Sequence, residues 1–183
     1  MENVKIDGIK DINTVKELFS SVKGLKDDNC FLVVLNRDYV ASSIENNTFY
    51  KNNAVNQAVE GAIKEFNEKL NDKQKIAFSR NVYCGFLINV VSKGVGVIPL
   101  KNSGQLVPNI KDFITDIDNY IFINNDEIEK MELKKMPLRF SVKRLAIYFK
   151  DLDGANTPWT LPIKHKLVSY QEENYNKLVQ KLS

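Results

Sequence analysis

The apolar positions of this chain change period several times, and each change marks an expected element. Val4 and Ile6 alternate ahead of Asp7-Gly8, which suits a short strand or an ordered arm. Val15, Leu18, Phe19 and Val22 recur at helical spacing from a Thr14-x-x-Glu17 capping box, with Gly24 where a helix C′ residue stands. Cys30 to Leu35 is continuously apolar and predicts a buried strand, followed by polar, irregular chain from Asn36 to Asn53. From Ala54 to Leu70 one helical face is apolar, small at its start and ending in Phe66 and Leu70. Glu60–Lys64 and Glu65–Lys69 are favourable i, i+4 pairs on the opposite face.

From Ile76 the period shortens to two. Val82, Cys84, Phe86, Ile88 and Val90 share one strand face, and Ser92-Lys93-Gly94 predicts a three-residue turn into Val95–Leu100. Pro99 near the end of that strand suits an edge. A loop over 101–109 leads to Ile110, Phe113, Ile114 and Ile117, whose spacing fits either a helical turn or a short strand. Tyr120–Ile123 and Ile128–Leu133 around Asn124-Asn125-Asp126 read as a hairpin. In the next strand Phe140 and Val142 have one parity, whereas Leu145, Ile147 and Phe149 have the other. A β-bulge at Lys143-Arg144 reconciles them. Asp153-Gly154 turns the chain into a strand from Pro158 to Ile163, where Trp159 reads as a core residue. Ser169-x-x-Glu172 is a second capping box, and Tyr175, Leu178, Val179 and Leu182 give the closing helix its buried face.

The totals set the class. A chain of 183 residues, 43% hydrophobic and 27% charged, fits one globular domain and is too apolar for a disordered one. Cys30 and Cys84 sit in apolar runs and read as small buried hydrophobes. With a single histidine, no His/Cys metal set can be assembled. The chain opens without a basic n-region and apolar core, so no secretory signal is expected. No apolar run approaches the roughly 20 residues of a spanning helix. The expected location is the cytoplasm, free or peripheral to a membrane, and the Lys- and Asn-rich usage is that of an AT-rich bacterial genome.

Three stretches, FLINVVSKGVGVIPLK (86–101), YIFINNDEIEKMELKK (120–135) and RFSVKRLAIYFKDLDG with TPWTLPIK and SYQEENYNKLVQKL, carry a resemblance. Short antiparallel strands joined by tight turns and ended by one amphipathic helix resemble the bacterial pleckstrin-homology-like (PH-like) and GRAM-type domains, over residues 82–182. The resemblance implies an α+β fold, a bent seven-stranded β-barrel plugged by its C-terminal helix. Cys30–Leu35 would be its first strand, and the helix at 54–70 an insertion between the first two. The expected organisation is a single domain over 1–183, with an arm and helix at 1–29 and the barrel at 30–182.

Charge is uneven along the chain. Residues 130–166 hold nine Lys/Arg against three Asp/Glu, although the whole chain carries only +3. Lys134, Lys135, Arg139, Lys143, Arg144 and Lys150, joined by Lys93 from the earlier turn, are the candidate anionic-surface residues. Lys164, His165 and Lys166 flank them. The opposing reading is that these are solvated, outward residues that guard strands against edge pairing. PH-like domains of eukaryotes often bind phosphoinositide headgroups through several cations, and the turn at Lys93 offers only one. Stackable aromatics in an RNA-reading pattern are missing, which disfavours nucleic acid. His165 lies between two lysines and lacks the acidic partner of a general base. Asp112, Asp116, Asp118, Asp126, Glu127 and Glu129 lack calcium-loop spacing and read as a solvated acidic segment. Gly94-Val-Gly96 fits a strand turn better than a nucleotide fingerprint. No catalytic constellation, metal or cofactor is expected. The expected function is a non-enzymatic binding module that docks a protein partner, for instance by strand addition, or an anionic lipid surface. The alternative is a structural protein that self-associates through the 54–70 helix.

Overall fold

A computed structural model describes residues 3–5, 7–23, 30–34, 62, 64–78, 83–102, 112–136, 140–165 and 168–183. The protein is α+β. Eight strands form one antiparallel sheet: β1 (Cys30–Val34), β2 (Gly85–Val91), β3 (Gly94–Asn102), β4 (Phe113–Thr115), β5 (Ile121–Asn124), β6 (Ile128–Lys135), β7 (Val142–Phe149) and β8 (Trp159–Pro162). Their order is β4-β3-β2-β1-β8-β7-β6, with β5 also on β3. The apolar run at 30–34 is therefore central, joining the β2–β3 half to the β6–β8 half.

Pro99 lies inside the sheet rather than on an edge strand, opposite Phe86. Its far side faces the break between β5, which pairs residues 94–97, and β4, which pairs 100–102. No N–H is needed in that break, and the Pro99 carbonyl accepts the Asp116 N–H at 2.8 Å. The ambiguous segment 110–117 thus contributes a short strand, and a 3-10 turn at Ile117–Asn119 leads to β5. The N-terminal arm adds to the β4 edge through the Lys5–Ile114 bridge and the pairing of Val4 with Thr115.

β5 and β6 are consecutive, but they do not form the expected hairpin. One pairs β3 and the other β7, at opposite ends of the strand order. Six inter-strand spacings of about 4.8 Å would separate them by about 29 Å if the sheet were flat. The links from Asn124 to Ile128 reach only about 14 Å. The sheet must therefore curl. Its inner face accordingly holds one core in which Val95, Val97, Ile121 and Ile123 meet Leu145, Ile147, Phe149, Trp159 and Leu161. No ladder between β6 and β4 or β5 closes the sheet among the described residues.

The crossing is clasped by Glu127, whose carboxylate accepts the Asn124 N–H and Nδ2 at 2.8 Å and pairs with Lys73 Nζ at 2.9 Å. Burial acts to raise the Glu127 pKa, but the Asn124 N–H and then the Lys73 ammonium outweigh it and hold it below the usual carboxylate value. Lys73 belongs to a helix that the period-two reading had missed, α2 (Asp72–Phe78). Asn71 Oδ1 accepts the Gln74 N–H and Gln74 Oε1 accepts the Asn71 N–H, a reciprocal cap over Asn71-x-x-Gln74. Gln74 also donates to Asp151 in the turn after β7. Of the helix expected at 54–70, residues 62 and 64–69 are helical. Of its alanine face, Ala62 is helical and exposed, whereas Ala54 and Ala58 lie outside the described residues. Phe66 packs edge-on against Phe78, and Leu70 enters the inner core.

Trp159 is wholly buried in that core, as its sequence context predicts. Its Nε1–H donates to Ala77 O at 2.9 Å and its ring lies 5.4 Å from that of Phe86. The indole thereby ties α2 to β8 and β2. The outer face of β2 and β3 carries a second core, Leu87, Ile98 and Leu100, covered by Val15, Leu18 and Phe19 of α1 (Ile12–Lys23). That helix starts three residues earlier than a Thr14 cap implies, because the Asp11 carboxylate accepts the Asn13 N–H at 3.0 Å. Gly24 lies outside the described residues. The closing helix α3 (Gln171–Leu182), by contrast, makes no side-chain cap at its start. Glu172 instead pairs with Lys164 at 2.8 Å. Its buried positions are Gln171, Asn174 and Leu178, flanked by Tyr175 and Leu182, whereas Val179 is 36% exposed.

Two local expectations change. Val91 pairs directly with Gly94, so Ser92-Lys93 is a two-residue turn. The glycine is required by β5: its φ is +154°, and a Cβ there would stand 2.1 Å from Ile123 O. The register through Lys143-Arg144 is continuous, and the irregularity falls instead between Ile128 and Lys130 on β6. No bulge is needed because Phe140 is not part of β7. Cys84 is half-buried against the outer core rather than fully buried, and the Cys30 side chain lies outside the described residues.

Gly94→Ala is expected to destabilise the fold by roughly 1–3 kcal/mol, the scale of local backbone strain, as read from the denaturant midpoint. A depressed carboxylate pKa contributes stability above the ordinary value of about 4.3 and loses it as pH falls through the folded-state value. Glu127→Gln should therefore be less stable than wild type at pH 7. Their midpoints should converge as pH drops below about 4.3, and an unchanged gap at pH 3 would refute the clasp.

Candidate anion-binding face

The β6–β7 ladder brings four of the candidate cations together in two adjacent rungs. Lys134 stands opposite Arg144, and Lys135 opposite Lys143. Directly opposed like charges destabilise a strand pair. In this ladder two such rungs follow one another. Alternation sends Lys134 and Arg144 to the outer face with Lys130, Glu132 and Tyr148. Lys135 and Lys143 have the parity of Leu133 and Leu145, so they continue the inner-core face one step past its last apolar rung.

The two rungs differ electrostatically. On the outer face Glu132 lies 3.1 Å from Lys134 and 3.9 Å from Lys130, and it accepts the Tyr148 hydroxyl at 2.8 Å. Lys134 also donates to that hydroxyl, and the Lys130 and Lys134 ammoniums sit 4.3 and 5.0 Å from the Tyr148 ring centre. The Tyr148 hydrogen bond, and then Lys134, lower the Glu132 pKa. The Tyr148 and then the Glu132 hydrogen bonds raise that of Lys134. Arg144 donates to Thr157 O at 3.4 Å. The outer rung is thus compensated by its neighbours. Lys135 and Lys143 make no ion pair among the described residues, so the inner rung keeps its full charge.

Lys150 and Lys93 are elsewhere. The Lys150 N–H donates to Glu127 O and Lys93 O accepts the Asn125 N–H, so both stand by the crossing between β5 and β6. Lys135 is seven residues further along β6, about 24 Å at strand rise. Of the seven cations expected on one surface, six therefore fall at opposite ends of the β6–β7 hairpin, and Arg139 lies outside the described residues. Sequence reasoning missed Glu132 and Tyr148 as organisers of the outer rung. The Lys130-x-Glu132-x-Lys134 spacing was the available signal, since period two places all three on one face.

The acidic segment is not uniformly solvated. Asp116 is buried, accepts Asn119 Nδ2 at 3.0 Å and pairs with Lys101 Nζ at 3.1 Å. Burial, then the Asp116 charge, raises the pKa of Tyr83, and burial alone pushes that of Tyr120 up to about 12. These groups hold the passage from β4 to β5. His165 bridges to Val168, and burial lowers its pKa. Among the described residues no three of His, Cys, Asp and Glu converge as a metal set, and no helix is long and apolar enough to cross a membrane. Compared with family models, with curated proteins and with solved structures, the chain matches none.

The buried Tyr120 hydroxyl has no hydrogen-bond partner among the described residues. Removing an unsatisfied buried polar atom recovers its desolvation cost, so Tyr120→Phe is expected to stabilise the protein by about 1 kcal/mol. A loss of stability in thermal unfolding would instead assign the hydroxyl a working partner.

Proposed function

We propose that this protein is a non-enzymatic binding module of PH-like architecture. Its docking face is the end of the β6–β7 hairpin that carries Lys134, Lys135, Lys143 and Arg144, and its target is an anionic membrane surface. The architectural part is supported by the strand path through a central β1, by the helices inserted between β1 and β2, and by α3 lying against β1 and β6. A bent sheet plugged by its last helix is what the resemblance implies.

The observation that carries the docking reading is the uncompensated Lys135–Lys143 rung beside the Lys134–Arg144 rung. Two successive like-charge rungs cost folding stability, and an opposing anionic surface converts that cost into binding energy. Each Lys or Arg near a charged bilayer contributes about 1 kcal/mol. Self-association through the 54–70 helix has less support: Phe66 and Leu70, its largest apolar side chains, are used within the protein's own core.

Sedimentation with vesicles tests the docking reading. Binding is expected to vesicles rich in phosphatidylserine and not to neutral ones, and to weaken as salt rises. Lys135→Gln/Lys143→Gln should weaken it roughly 30-fold, the equivalent of about 2 kcal/mol. Lys93→Gln/Lys150→Gln, at the far end of the hairpin, should leave it unchanged. Equal losses in the two double variants would mean a diffuse charge effect and no docking face.

A further inference from the structure

Phe140 is 90% exposed, whereas the other phenylalanines of the β2–β7 region are buried or packed against the core. It occupies the turn entering β7, two residues before Val142 and three before Lys143. The base of that turn is held in place. Ser141 O accepts the Ile163 N–H at 3.0 Å, and the next rung pairs Val142 with Pro162. An aromatic ring is thus presented to solvent from a fixed rim, next to the Lys135–Lys143 rung. A ring so exposed adds nothing to the protein's own core.

We infer that Phe140 is a membrane anchor. Its ring enters the boundary between headgroups and acyl chains while Lys135 and Lys143 stay among the anionic headgroups. This inference rests on the membrane-docking reading above. The pairing of chemistries is the one that interfacial binding uses: apolar transfer of a ring together with attraction of nearby cations to anionic lipid. A phenylalanine also suits this depth because it has no polar atom to desolvate as it leaves water. An acidic protein partner would use the cations, but it would not require a protruding ring that meets no pocket.

The test uses the full chain and vesicles of mixed phosphatidylserine and phosphatidylcholine. Phe140→Ala is expected to bind about tenfold more weakly, the order of effect when one aromatic side chain loses its transfer from water. Its fold is checked by the near-ultraviolet signal of Trp159. In Phe140→Trp the new indole should shift to the blue on binding and be quenched by lipids brominated near the top of the acyl chain. The buried Trp159 gives wild type as the blank. If wild type and Phe140→Ala bind equally and the new indole is not quenched, the anchor is overturned and electrostatic docking stands. If wild type binds no anionic vesicle at low salt, the docking reading fails and the anchor fails with it.

Discussion

The three residues Asn125, Asp126 and Glu127 impose the constraint on which the rest of the structure depends. They connect the two extremes of the strand order, a distance that a flat sheet could not span. Once the sheet curls, its concave side must be filled at native density. Trp159, Phe86 and Phe149 fill the middle, while α2 and α3 bring Ala77 and Leu178 into the same core. The Glu127 clasp satisfies the polar groups of the crossing itself, using a lysine from α2. Helix, crossing and sheet curvature are thus coupled through one turn.

Curling also decides which faces remain for function. The inner face is occupied, and the outer face of β2 and β3 is covered by α1 and the N-terminal arm. On the β6–β7 hairpin the apolar inner stripe stops at Leu133 and Leu145, and the next rung is Lys135 with Lys143. Charge begins where packing ends. On the outer face the same hairpin organises its cations around Tyr148 and Glu132, which turns four nearby groups into one compensated network. The difference between the two rungs makes the end of the hairpin, and not the basic stretch as a whole, the distinctive surface.

Much of the local structure was legible because it depends on nearest neighbours. The strand at 30–34, the strands on either side of Lys93, the turn at Gly154, the core position of Trp159 and the closing helix all follow from period, turn chemistry and apolar content. Errors arose where two signals competed over a few residues. Asp72–Phe78 contains Ile76, Ala77 and Phe78 next to a strand pattern, and its Asn71/Gln74 cap is easily overlooked beside the commoner Ser/Thr form. Thr14 and Ser169 fit the capping pattern, but Asp11 provides the first cap and Glu172 prefers Lys164.

The basic stretch divides along the same line. Composition alone established an excess of cations between residues 130 and 166, and alternation established which of them share a strand face. The sequence by itself thus determined the elements, most of the buried residues and the sign of the surface. Tertiary structure alone decided that β5 and β6 do not pair, that Gly94 must lack a side chain, and that Lys93 and Lys150 stand far from Lys135 and Lys143. The reason is physical. Strand identity follows from local period, but partner choice depends on how a curved sheet closes around its core, which involves residues far apart in the chain.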